Sequence, residues 1–151
     1  MLYVTIIISK SSEIFVINKN INTKTTNKFY TYITPYCKSS LGLIFGLENY
    51  IQTDKYYFFQ INGKGNLTLL KRINGNLENQ IIKGNKFIEN YNKNNTYKMG
   101  ISFNPINGNI IASINDDLIY STNDKTLKGN LVGFISLGKN TVFKQILSEE
   151  L

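Results

Sequence analysis

The clearest pattern along the chain is a period of two. In "YKMGISF", Tyr97, Met99, Ile101 and Phe103 alternate with Lys98, Gly100 and Ser102, so an extended segment gathers its apolar side chains on one face. Other segments are apolar on both parities for part of their length, notably "LYVTIIIS", "LGLIFGL" and "YYFFQI". These predict central strands with one core face and one partly covered face. Further strands are expected at "EIFVIN", "FYTYITPY", "LTLLKRI", "NIIASI", "LIYST", "LVGFISL" and "TVFKQIL". No stretch holds a helical period over three turns. The nearest, "NLENQIIKGNKFIENY", is interrupted by Gly84.

Between these segments stand residues that turn a chain. "NGKGN", "NGN" at 74–76 and "NPING" carry Asn-Gly pairs, which tolerate the positive φ of tight hairpins. Pro35 closes its strand because it has no N–H for a ladder. The side-by-side carboxylates Asp116 and Asp117 invite a catalytic reading, but "IIASINDDLIYS" is better explained as two strands about a tight connection. Ile110, Ala112 and Ile114 share one face, and Leu118 and Tyr120 are expected to share a parity beyond the turn. Many short strands without helices predict an all-β, antiparallel two-sheet jelly-roll sandwich, with 1–151 as a single domain.

The order of these signals resembles a known family. "LGLIFGL", a loop holding Asp54, then "YYFFQI" and a hairpin to "LTLLKRING" is similar to the middle of concanavalin A-like and laminin G-like jelly rolls. The second half, "NTYKMGISF" through "TVFKQILS", resembles their closing strands, with Gly129, Gly133 and Gly138 where that pattern uses glycines. The resemblance covers Leu41 to Leu147; the first forty residues match by strand count. Thr96-Tyr97 stands where the family usually has Trp, and Asp116-Asp117 where it has Asp-Gly. The resemblance implies a recognition domain, lectin-like or adhesive, that takes a glycan or a protein partner.

Composition narrows the chemistry. The 151 residues carry a net charge of +7, from sixteen lysines and one arginine against ten acids. The lysines are scattered through turns and strand edges, which predicts a solvated basic surface with at most a weak preference for anionic ligands. Neither specific nucleic-acid recognition nor a Walker-type phosphate loop is indicated: "YYFF" lacks the basic and glycine positions of RNA-binding motifs, and "GKGN" has no helix after it. Runs such as "NKNINTKTTNK" reflect compositional bias. "MLYVTIIIS" lacks a basic leader and cleavage site and is too short for a membrane span, which takes about 20 apolar residues. No compartment follows from it.

Catalysis is not expected. The glycosidases of this family resemble one another in carrying E-x-D-x-x-E or a shortened form on one strand, and none of the six glutamates here is so spaced. There is no histidine, and Cys37 stands alone, so neither a Cys–His nucleophile nor a disulfide forms within the chain. Relatives of the family hold Ca²⁺ at a sandwich rim, and Asp54, Asp116, Asp117 and Asp124 fall in loops. Isolated acids in a basic chain make a poor site, so no metal and no cofactor is expected.

A sugar is normally held by stacking on an aromatic ring flanked by polar groups. Tyr30, Tyr32, Tyr56 and Phe58 lie on strands expected to be central. The parity of "YYFFQI" separates Tyr57, Phe59 and Ile61 from Tyr56, Phe58 and Gln60. The second set ends in a polar residue and is the expected open face, joined by Thr68 and Arg72 from the next strand. Tyr56 and Phe58 are the candidate stacking residues; Gln60 and Arg72 are the candidate hydrogen-bonding residues. A structural protein–protein domain of a larger chain or assembly is the second reading, and an unconventional glycosidase a distant third.

Overall fold

Alternation becomes architecture in the segment where it is cleanest. "YKMGISF" forms a strand whose odd-numbered residues are buried and whose Lys98 and Ser102 are half-buried on the opposite side. The computed structural model describes residues 6–10, 13–49, 54–74, 76–82, 86–137, 141–143 and 146–149. The strands along these residues are β1 (Ile6–Lys10), β2 (Glu13–Asn20), β3 (Asn27–Thr34), β4 (Leu41–Leu47), β5 (Tyr56–Asn62), β6 (Asn66–Ile73) and β7 (Asn76–Gln80). They continue with β8 (Lys86–Phe87), β9 (Tyr97–Phe103), β10 (Asn109–Ile114), β11 (Asp117–Asn123), β12 (Leu131–Ser136), β13 (Val142–Phe143) and β14 (Leu147–Glu149).

Among the described residues these form two antiparallel sheets. The larger has eight strands in the order β1-β2-β12-β4-β5-β6-β7, with β8 also on β6. The smaller has six, in the order β11-β10-β9-β3, with β13 and β14 both on the far side of β3. The fold is the expected all-β jelly-roll sandwich. Adjacent sheet neighbours are often far apart in sequence: β12 lies between β2 and β4, and β9 beside β3.

The sheets meet through side chains of one parity from each strand. Phe45 of β4 is central: its ring centroid lies 5.1 Å from Phe103, 5.2 Å from Tyr57 and 6.0 Å from Phe29. Two tyrosine hydroxyls then tie the layers together. Tyr120 of β11 reaches across the core and donates to the Leu67 carbonyl of β6 at 2.7 Å. Tyr57 of β5 donates to Asp124, in the connection that follows β11, at 2.6 Å. Both hydroxyls therefore keep a partner while their rings are buried.

Several expectations change in detail. "NLENQIIKGNKFIENY" contributes β7 and β8, two short strands that were not expected. "TVFKQIL" yields two short pieces, β13 and β14, rather than one strand, and residues 144–145 lie outside the described set. The tight turn consists of Asn115 and Asp116, with φ of 51° and 68°, and Asp117 already belongs to β11. Leu118 and Tyr120 do not share a face: the register against β10 slips between Ala112 and Ser113, which pair with Tyr120 and Leu118, leaving Ile119 as the extra residue. Tyr120 is accordingly buried and Leu118 is 65% exposed.

The Asn115–Asp116 turn gives a direct test. Asn supports positive φ almost as well as Asp, and the Lys98–Asp116 ion pair is solvent-exposed on the acid's side. Replacing Asp116 and Asp117 together by Asn should cost no more than about 1 kcal/mol in urea melts. Asp116→Val, which puts a β-branched residue at positive φ, should cost more than the double Asn variant.

Candidate functional site

The face of the larger sheet that points away from the core carries a second apolar cluster. Ile44, Leu47, Tyr56, Phe58, Leu70 and Ile135 are buried there, with Leu131 and Leu137 packed against them. Tyr56, Phe58, Gln60 and Arg72 do share one face, opposite Tyr57, Phe59 and Ile61, as parity requires. That face is not the open one expected. Tyr56 is 1% and Phe58 4% exposed, and their rings meet edge to face at 6.3 Å. The Gln60 side-chain nitrogen donates to Thr68 Oγ1 at 2.7 Å, and an Arg72 guanidinium nitrogen donates to the Tyr56 hydroxyl at 2.8 Å. The four residues are engaged with the fold itself. The reason was visible in the sequence: "LGLIFGL", unbroken by any charge, becomes a strand buried at every residue, so its neighbours are covered on both sides too.

The outward face of the smaller sheet is different. Its central rows run Tyr30–Gly100–Ser113 and Lys28–Ser102–Ile111 across β3, β9 and β10. Gly100 lies in mid-strand without a positive φ, so no turn or left-handed backbone requires glycine there. Its missing side chain opens a trough of about 200 Å³, lined by Lys28, Tyr30, Lys98, Ser102, Ile111 and Ser113, with Asp116 at one end. A Cβ on Gly100 would come within 2.6 Å of Ser113 Oγ. Tyr30 forms a wall, backed edge-on by Tyr32 at 5.8 Å. Lys98 Nζ sits 4.5 Å above the Tyr30 ring and 2.7 Å from an Asp116 carboxylate oxygen, which fixes both the cation and the ring. Aromatic wall, hydroxyls and a held cation thus converge on one shallow opening. Sequence reasoning had noted Tyr30 and Tyr32 but passed over Gly100, a glycine inside an otherwise regular strand, which is the stronger signal.

A partly buried charged group sits elsewhere, where the connection after β11 meets β5 and β6. Asp124 accepts from Tyr57, from Lys71 Nζ at 2.8 Å and from the Thr126 amide at 2.9 Å. Burial alone would raise its pKa. The hydrogen bonds from Lys71, Tyr57 and Thr126 outweigh burial and lower it from 3.8 to about 2. The Tyr57 hydroxyl is pushed well above its ordinary range, by burial first and then by donating to Asp124. These groups join β5 and β6 to the connection after β11. Among the described residues, no three His, Cys, Asp or Glu side chains gather in a way that could hold a metal. No described helix is long and apolar enough to cross a membrane.

No protein-family model matches the chain, and no curated protein matches it in sequence. Solved structures do match in fold. The carbohydrate-binding module CBM66 from Bacillus subtilis superposes with a TM-score of 0.75 at 12% identity, covering 98% of this chain and 95% of that one. A toad ovary galectin, solved with thio-digalactose, gives 0.63 at 13% identity over 93% of this chain and all of the other. Sheep galectin-11 gives 0.63 at 7% identity over 93% and 100%. The chain therefore shares the two-sheet β-sandwich fold of these carbohydrate-binding and galectin structures.

Two outcomes are expected from this geometry. Because the Asp124 carboxyl is lower in the folded protein than unfolded, its contribution is complete above about pH 4 and disappears as pH falls toward 2. The wild type should lose on the order of 1–2 kcal/mol across that window beyond what Asp124→Asn loses, as read by urea melts at each pH. Phe58→Ala should cost about 3–5 kcal/mol, the value for emptying a buried aromatic site. A loss below about 1 kcal/mol would mean that Phe58 is in fact accessible.

Proposed function

We propose that this chain is a non-catalytic, lectin-like glycan-binding domain of the laminin G-like kind, one domain across 1–151, with its sugar in the trough over Gly100. The observation that carries the reading is Gly100 itself: a side chain omitted at the centre of a sheet, between a tyrosine wall and a serine hydroxyl, where the backbone does not call for it. Carbohydrate-binding and galectin neighbours in fold support the ligand class. The trough is small beside the roughly 300–1,000 Å³ of enclosed ligand cavities and lies open on the sheet, which suits one residue of a longer glycan. Tyr30 would wall the sugar in, while Ser102, Ser113 and Lys98 direct hydrogen bonds to its hydroxyls.

The same lining argues against hydrolysis. Glycoside cleavage needs two carboxyl groups on either side of the bond, about 5–9.5 Å apart. Among the described lining residues Asp116 is the one acid, and it is held by Lys98. A protein partner is the competing reading, favoured by the 65% exposure of Leu118 on the edge strand β11.

A glycan array followed by calorimetry separates the two. Tyr30→Ala and Gly100→Val should each weaken a glycan hit at least tenfold, about 1.4 kcal/mol, with melting temperatures close to wild type. Leu118→Lys should leave it unchanged. The glycan reading fails if no sugar binds, or if both trough variants bind as the wild type does.

A further inference from the structure

A second opening lies at the end of the sandwich, where three connections meet. Lys38 follows β3, Lys64 sits in the β5–β6 turn, and Lys93 precedes β9; together with Gly63, Tyr91 and Asn92 they line a depression of about 280 Å³. Main-chain hydrogen bonds hold the connections against one another. The Gly63 amide donates to the Lys38 carbonyl at 3.0 Å, and the Tyr36 amide donates to the Lys93 carbonyl at 2.8 Å. Tyr91 stacks on Tyr97 with centroids 5.5 Å apart and planes 20° apart. The Asn92 amide in turn donates to the Tyr97 hydroxyl at 2.9 Å. The lysines are thus presented by a fixed rim.

The described lining holds three lysines and no carboxylate. This contrasts with Lys71 and Lys98, which are each ion-paired, with Asp124 and Asp116. Like charges gathered without a counter-charge repel one another, and an anion placed among them gains most there. Burial pushes the Tyr91 hydroxyl up to about 12.

We propose that this depression is an acid-recognising subsite, taking the sulfate or carboxylate of an acidic glycan. The proposal rests on the glycan reading above and names its ligand class. One feature favours a compact acidic group on a sugar over an extended polyanion. The cations surround a concavity rather than run along a strand or helix. All three are lysines, which present point charges to a sulfate or a carboxylate.

The test measures binding of a heparin oligosaccharide, its desulfated counterpart, single-stranded DNA and phosphatidylserine vesicles, at low and physiological salt. The rim variant is Lys38→Ala/Lys64→Ala/Lys93→Ala; the charge-matched control is Lys24→Ala/Lys55→Ala/Lys125→Ala, which removes exposed lysines elsewhere. The rim variant should weaken heparin binding at least tenfold and flatten its salt dependence by roughly two to three units on a log–log plot, with the control near wild type. Sulfated glycan should bind more tightly than the desulfated form and than DNA or vesicles. Equal loss in the control would overturn the subsite in favour of diffuse charge. Equal binding of DNA or vesicles would overturn the choice of a glycan. Loss in Tyr30→Ala and Gly100→Val with the rim variant unaffected would move the acid to the trough, overturning the subsite while leaving the glycan reading intact. Neutral glycans bound through the trough, with no sulfated glycan bound more tightly, would likewise refute this subsite alone.

Discussion

The contact of Phe45 with Phe29, Tyr57 and Phe103 is the joint on which the sandwich depends. It brings the centres of both sheets to ring-contact distance, and with them every strand that pairs outward from β4 and β9. Because β4 is buried on its second face as well, the larger sheet cannot present an open apolar surface there without losing what covers it. The two sheets therefore divide the work. The larger one is packed on both sides, and the smaller one keeps a polar outward face on which a ligand can sit.

That division was half legible in the sequence. The unbroken apolar run of "LGLIFGL" announced two covered faces, and "YKMGISF" announced one. The consequence for Tyr56 and Phe58 was missed because parity was read within their own strand alone. Phe58 is flanked directly by Ile44 and Leu70, and the three are buried together in one apolar cluster on that face. Parity assigns a face, but exposure is a property of the whole sheet. The open face carries its own signature, Lys98, Gly100 and Ser102 at alternate positions, which marks the trough that β3 and β10 complete.

Other discrepancies have equally local causes. β7 and β8 carry no clear alternation, and they form because β6 offers two stretches of free edge, one at Leu70–Ile73 and one at Asn66–Leu67. The separation of Leu118 from Tyr120 arises from one inserted residue, which no period-two reading can register. The rim of three lysines was beyond reach for a different reason. Lys38, Lys64 and Lys93 are distant in sequence and meet only because the turns carrying them are hydrogen-bonded together at one end of the fold.

The inserted residue at Ile119 also bears on how the molecule behaves in a crowd. β11 is an outer strand of its sheet, and a straight outer strand is a template on which another chain can add itself. The extra residue bends and twists this one, breaking the even spacing of donors and acceptors that such growth needs. A Tyr120 hydroxyl anchored to the opposite layer then keeps the strand from straightening. The exposed Leu118 is thereby displayed on a bulged edge, the kind of irregularity that makes an outer strand a poor template for another chain.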